Sequence, residues 1–314
     1  MLAFTVRRFF TAVLSVWLAS LVVFSAIIAV PGDPAEIILG LNSSAEARAA
    51  LRTKLGLDVP APRRYVAWLG NVLRGDFGES LNYQQPVGRL IKDRFKVSVP
   101  LALGAALVAT LLAIPLGIVA AMRRGTFVDP LVMTLSQVGA AIPSFWLGLI
   151  FILYFSVRLR LFPAGGFTPF DTDPVKWFRS LVLPVVALGL GQAAVMMRMT
   201  RAAMLEVLSQ DFVRTARAKG VGTRSVVLKH ALRNAMVTII TILGLSLTNV
   251  FIGSIIVEQV FALPGLGRLA LTAIGTRDFP LLQGEILVYA ATIVFLGFVV
   301  DLSYGLLDPR IRYS

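Results

Sequence analysis

Apolar residues run along this chain in long unbroken blocks, with the polar positions gathered between them. Six blocks are long enough to cross a bilayer core, which takes about 20 helical residues: Phe9–Val30, Val97–Met122, Leu131–Val157, Leu181–Met197, Ala235–Val257 and Gly284–Leu307. The first five hold no Asp, Glu, Lys or Arg; the sixth holds Glu285 and Asp301 near its ends. Hydrocarbon satisfies no backbone N–H or C=O, so blocks of this kind are expected to be helices. Arg7 and Arg8 precede the first block in the manner of a secretory leader, but the apolar run is longer than a leader core and no small-x-small cleavage site follows. It is expected to be a retained first helix.

The polar intervals carry their own signals. Between the first two blocks, Ala45–Leu55 has helical composition with Ser43 or Ser44 as cap. Arg63–Leu73 places Tyr65, Trp68, Leu69 and Val72 on one helical face. Gly75–Gly78 reads as a turn, and Val87–Phe95 as an amphipathic helix leading into the second block. Asp129-Pro130 predicts a capped start to the third block. Pro115 and Pro143 lie inside blocks and predict bends. Small residues (Ala102 with Ala106, Gly189 with Gly191, Ala193 and Ala194, Gly244 with Thr248) suit close helix packing. The expected organisation is residues 1–30 as N-terminus and first span, 31–96 as an extracytoplasmic lobe, and 97–314 as the membrane core, with a polar insertion at 205–235.

Composition agrees with a membrane protein. The chain is 57% hydrophobic and 15% charged, against about a quarter charged for a soluble domain. Its net charge of +13 fits loops facing anionic lipid rather than nucleic acid. Lys and Arg are concentrated in the N-terminal segment, around Arg123 and Arg124, across Arg198–Arg233, and at Arg310 and Arg312. The short alternate loops hold fewer, so both termini are expected in the cytoplasm.

Catalytic chemistry is hard to find. There is no cysteine, no G-x-x-x-x-G-K-[ST] phosphate loop, no H-E-x-x-H and no G-x-S-x-G. His230, the only histidine, stands in a basic stretch and suits a surface or structural place. Asp301 and Glu285 suit structural pairing or the membrane interface, with an ion pathway as the alternative. No catalytic, cofactor-binding or metal-binding residue is expected.

One polar insertion is different. QDFVRTARAKGVGTRSVVLKHALRNA (residues 210–235) separates two spans and reads as two short helices broken at Gly220-Val221-Gly222. A helix over its first half puts Phe212, Ala216 and Gly220 on one stripe with Val213 alongside, while Arg214, Arg217 and Lys219 project elsewhere. Gly220 and Gly222 permit a reversal, after which Thr223 is the expected cap of the next helix. A docking element for a soluble partner and an amphipathic helix on the membrane surface both fit.

That insertion resembles the cytoplasmic coupling loop of ABC importer permeases. The chain as a whole is similar to the B-type permease subunit of dipeptide and oligopeptide importers, a family that also serves nickel and glutathione uptake. The likeness is carried by RRFF at residues 7–10, PGDPA at 31–35, LGLDVPAPRRYVAWLGNVLRGDFGES at 55–80, FVRTARAKG at 212–220, VEQVFALPGLGRL at 257–269 and DLSYGLLDPRIRY at 301–313. Against the general loop pattern, Arg214-Thr215-Ala216 stands in place of Glu-Ala-Ala, His230 in place of Ile, and Leu232-Arg233 in place of Leu-Pro. The RTARAKG wording is that of the peptide branch.

The resemblance implies an all-α fold of six transmembrane helices, a type I importer permease with an insertion between helices 1 and 2, in a bacterial plasma membrane. It implies a second, similar permease subunit, two ABC ATPase subunits that use ATP and Mg, and an extracytoplasmic solute-binding protein, with no cofactor on this chain. Phe212, Val213, Arg214, Thr215, Ala216, Arg217, Ala218, Lys219, Gly220, Val221 and Gly222 would form the ATPase-coupling element. The 31–96 lobe and Phe261, Leu263, Pro264, Gly265 and Leu266 would face the binding protein. Dipeptides or oligopeptides are the implied cargo, with glutathione and nickel as alternatives. A secondary transporter would want more charge within its spans, and a membrane enzyme a catalytic cluster.

Overall fold

The fold was analysed in a computed structural model, which describes residues 2–29, 36, 39, 44–54 and 58–307. The PGDPA string and the last residues of the chain lie outside these. Among the described residues the regular elements are helices, apart from one antiparallel bridge between Glu79 and Pro86. In chain order they are α1 (Leu2–Ala29), α2 (Ala45–Lys54), α3 (Ala61–Leu73), α4 (Val87–Met122), α5 (Val128–Ala141), α6 (Ser144–Phe151), α7 (Pro174–Leu208), α8 (Asp211–Ala218), α9 (Thr223–Val260), α10 (Leu266–Gly275) and α11 (Phe279–Leu307). A π-helical turn, Ile152–Arg158, extends α6, and another, Val226–Ala231, lies within α9.

Helices α1, α4, α7, α9 and α11 are each long and apolar enough to span a membrane. The sixth expected span is a broken one: α5 and the α6 segment meet at 91°. Ile142 (ψ 121°) and Pro143 (ψ 137°) are both extended, as expected where proline pushes the residue before it out of the helical region. Pro100, Pro115 and Pro184 sit inside continuous helices. The polar Val87–Phe95 segment is not a separate helix but the first turns of α4.

The chain divides into two units. The first comprises residues 96–267 with 2–8 and 296–307. Its core joins α4, α5, α7 and α9 through Ala113, Ile118, Val132, Met196, Met204, Val227 and Ile239. Glycines set how closely the backbones approach. A Cβ at Gly189 would lie 2.9 Å from the carbonyl oxygen of Ala105, and one at Gly117 would lie 2.9 Å from that of Met197. Gly244 receives Val300 in the same way, whereas Gly191 has nothing near it. Such contacts replace the hydrophobic driving force that lipid cannot supply between helices.

The second unit comprises residues 9–95 and 268–295. Phe24 on α1 packs edge-on to Tyr65 of α3, with ring centroids 5.3 Å apart, and also lies against Trp68. Ser20 and Tyr65 share a 2.8 Å hydrogen bond. The predicted apolar face of α3 is therefore the packed one, and Val66 and Leu73 project outward. Ser44 caps α2, its Oγ accepting the Ala47 N–H at 3.1 Å. Gly75 and Gly78 both take positive φ, and Asp76 Oδ1 accepts the Gly78 N–H, so this stretch is the expected turn.

Candidate functional site

The polar insertion between α7 and α9 folds as a helical reversal. Helix α8 ends in a Schellman motif: the Val221 N–H donates to the Ala216 carbonyl at 3.2 Å and the Gly220 N–H to that of Arg217 at 2.9 Å. Gly220 has φ +80°, a left-handed conformation that L side chains adopt at a cost of about 1–2 kcal/mol. The next helix is capped by Gly222 rather than Thr223, which is its first helical residue; the Gly222 carbonyl accepts the Val226 N–H at 3.0 Å and no side chain caps that end.

Sequence placed Val213 beside the main stripe, but the structure makes it the anchor, fully buried, with α8 packed on the π-turn of α9. Ala216 is half-buried. Phe212, Arg214, Thr215, Arg217, Ala218, Lys219, Gly220 and Gly222 are exposed, and Val221 is half-buried. The expected stripe stops at Ala216, because the helix ends two residues before Gly220. A cavity of about 250 Å³ beside this reversal is lined by Met122, Arg124, Leu205, Ser209, Arg217 and Val227, among others. The element is thus pinned by one apolar side chain and presents a basic outer face. His230 is exposed on the π-turn.

The second expected segment is placed differently from expectation. Phe261, Leu263, Gly265 and Leu266 are buried and Pro264 is half-buried, so most of these side chains hold the loop to their own unit. Ala262, at φ +50°, is the exposed one. The reason is Glu258, just beyond the fifth apolar block and completely buried. Its Oε1 accepts a 2.5 Å hydrogen bond from the Ser98 hydroxyl, whose oxygen accepts the Leu266 N–H at 2.8 Å. Gly265 lies over the carboxylate, where a Cβ would fall 2.2 Å from Cδ of Glu258, and a Cβ on Gly267 would meet the Ile255 Cα at 2.5 Å. Sequence reasoning missed this latch. Ser98 lies 160 positions away from Glu258, which stands just past the fifth apolar block and was given no role.

Other charged groups are also accounted for. Asp129 does not cap α5, which starts one residue earlier. Its two carboxylate oxygens instead accept from Nε and Nη2 of Arg201, at 2.6 and 2.7 Å. Asp301 pairs with Arg8 at 3.3 Å, the structural role expected of it. Glu285 is fully buried. Asp278 was overlooked: it accepts from the Ser80 hydroxyl, the Asn82 N–H and the Leu281 N–H, capping α11. At the start of α7, Asp173 accepts the N–H groups of Val175 and Lys176. The Lys176 N–H first, then its ammonium 3.1 Å away, hold this carboxyl below its usual range.

Residues 113–313 match the family described as "binding-protein-dependent transport system inner membrane component", and residues 1–102 match the N-terminal model of the same kind of protein. The chain belongs to this family of transport permeases. A Brucella abortus protein named for a peptide transport system permease is 41% identical over 314 residues, covering all of both chains. The di/tripeptide transport system permease protein DppB of Pseudomonas aeruginosa is 38% identical over 335 residues, again covering both in full. The glutathione transport system permease protein GsiC of Escherichia coli is 38% identical over 314 residues at full coverage. Among solved structures, an inward-facing methionine ABC transporter, MetNI, superposes with a TM-score of 0.58 at 17% identity, covering 70% of this chain and 96% of that one. The fold is therefore that of a type I ABC importer permease, and the reversal at Asp211–Gly222 sits between two of the permease's long helices.

Proposed function

We propose that this permease is one half of the membrane core of a peptide importer, paired with a second, similar permease subunit. Two separate ATPase subunits sit against its cytoplasmic side and burn ATP with Mg, and a solute-binding protein delivers cargo from outside. This chain carries no cofactor. Both termini lie in the cytoplasm, following the distribution of Lys and Arg.

The observation that carries the reading is the Asp211–Gly222 reversal. It is held by one buried valine, exposes a basic face, and is joined at both ends to helices long and apolar enough to span a membrane. Closure of the ATPases around ATP pushes on residues 212–222, and α7 and α9 carry that displacement into the spans. Coupling of this kind requires the element to bind its ATPase differently in two states, typically by about 1–3 kcal/mol. The π-turn on which α8 rests is a place where a helix yields locally. Outside, the binding protein is proposed to touch the 31–96 lobe and the backbone and exposed Ala262 of the 261–266 loop. Cargo is proposed from relatives named for di/tripeptide and glutathione transport, both amide-linked molecules bearing carboxylates.

Gly220→Arg tests the coupling role. Nothing lies within 4 Å of a Cβ at this site, so the chain should still insert and pair. The added bulk and the strained φ should abolish uptake by the complete complex. Normal uptake would remove this segment from coupling. Uptake of labelled dipeptide against nickel, in cells lacking the endogenous systems, separates the cargo classes.

A further inference from the structure

The cavity beside the Asp211–Gly222 reversal has a wall of two kinds. Met122, Leu205 and Val227 are apolar, Ser209 brings a hydroxyl, and Arg124 and Arg217 bring guanidiniums. Among the described residues no Asp or Glu borders it, and neither Arg124 nor Arg217 forms an ion pair. Asp129 feels the charge of Arg124, but both of its oxygens are engaged by Arg201. Two permanent charges thus border one space with no carboxylate of this chain set in it.

The place of the cavity selects the anion. Met122 closes the second apolar block and Leu131 opens the third, so the 123–127 turn between them stands at the membrane surface. Leu205 and Ser209 lie beyond the apolar block of α7, and Val227 before that of α9. The cavity therefore reaches outward from the edge of the hydrocarbon. A sphere of its 250 Å³ is about 8 Å across, close to the depth of one headgroup layer, about 5–7 Å. Met122 and Phe127 are 45% and 77% exposed. They put apolar surface, which suits acyl chains, two and three residues along the chain from Arg124.

We propose that Arg124 and Arg217 hold the phosphate of an anionic membrane lipid in this cavity, with Ser209 as a further donor and the acyl chains passing over Met122 into the bilayer. A guanidinium fork matches phosphate oxygens, and basic pockets between membrane helices on the cytoplasmic side suit anionic headgroups. An acidic side chain of a soluble partner would satisfy the charges but not the apolar edge at Met122. A lipid so held joins the 123–127 turn, at the membrane surface, to α8 in the reversal. The site needs the membrane spans, but neither the cargo nor the ATPases.

The test uses the full chain, purified in detergent and offered phosphatidylglycerol or phosphatidylcholine, with bound lipid counted by native mass spectrometry. The wild type should retain the anionic lipid preferentially. Arg124→Gln combined with Arg217→Gln should cut that preference about ten-fold, the size of one charge-assisted hydrogen bond. Arg123→Gln combined with Arg224→Gln removes the same charge from exposed positions that do not border the cavity, and should leave the preference close to wild type. Arg124→Gln and Arg217→Gln alone should each lose part of it, which keeps the comparison if their combination does not purify. No preference in the wild type, or an unchanged one without Arg124 and Arg217, would overturn the proposal. An equal fall in both double variants would also overturn it, because surface charge alone would then explain the binding. Displacement of the lipid by inorganic phosphate as readily as by soluble short-chain phosphatidylglycerol would make this a site for a free anion. Displacement on adding the ATPase subunits would give it to an acidic side chain of that partner. Either result contradicts a lipid site.

Discussion

The hydroxyl of Ser98 serves two buried partners at once, donating to Glu258 and accepting the Leu266 N–H. Ser98→Ala strips one hydrogen bond from each of two fully buried groups, so it should lower stability by about 1–3 kcal/mol. The thermal midpoint of the detergent-purified chain measures this, and an unchanged midpoint would mean that the loop is held without the latch. Arg201 presents the complementary case. Removing the guanidinium by Arg201→Met strands the largely buried Asp129 carboxylate, with an expected cost of about 3–5 kcal/mol. Adding Asp129→Asn to that variant should recover a good part of the loss. Additive losses in the double variant would show that the two side chains are not coupled.

Helix α7 begins with Pro174 at its first position and Asp173 as cap, seven residues before the apolar block from which that span was read. Because the folded Asp173 carboxyl sits below its ordinary range, its contribution is present above the unfolded value and is lost as pH falls through the lower folded one. Protection of the Val175 and Lys176 amides, measured against their intrinsic exchange rates, should therefore fall under acid in the wild type. In Asp173→Asn that acid-dependent step should be absent. Other features were also only partly legible. The apolar blocks announced every long helix, but not that Val87–Phe95 would be continuous with α4, since a run of charges breaks no backbone hydrogen bond. Pro143 was visible, yet only its extended neighbour Ile142 turns a bend into a 91° break. The π-turn at Val226–Ala231 contains no glycine or proline to mark it. Glu258 was hidden for a different reason: its partner is remote in sequence, and local patterns carry no record of such pairs.

At the scale of the whole molecule, α7 runs 35 residues and α9 38, or about 52 and 57 Å of helix against about 30 Å of hydrocarbon. Spans this long extend past the bilayer, and the Asp211–Gly222 reversal joins two such ends. That end is where the proposed contact with the ATPases lies. The direct measurement is peptide accumulation in liposomes, with this chain alone and then with its second permease, ATPases and binding protein, each with ATP supplied. The account predicts uphill accumulation only in the complete assembly, and its loss when the ATPases are left out. Accumulation against a gradient by this chain alone would contradict it.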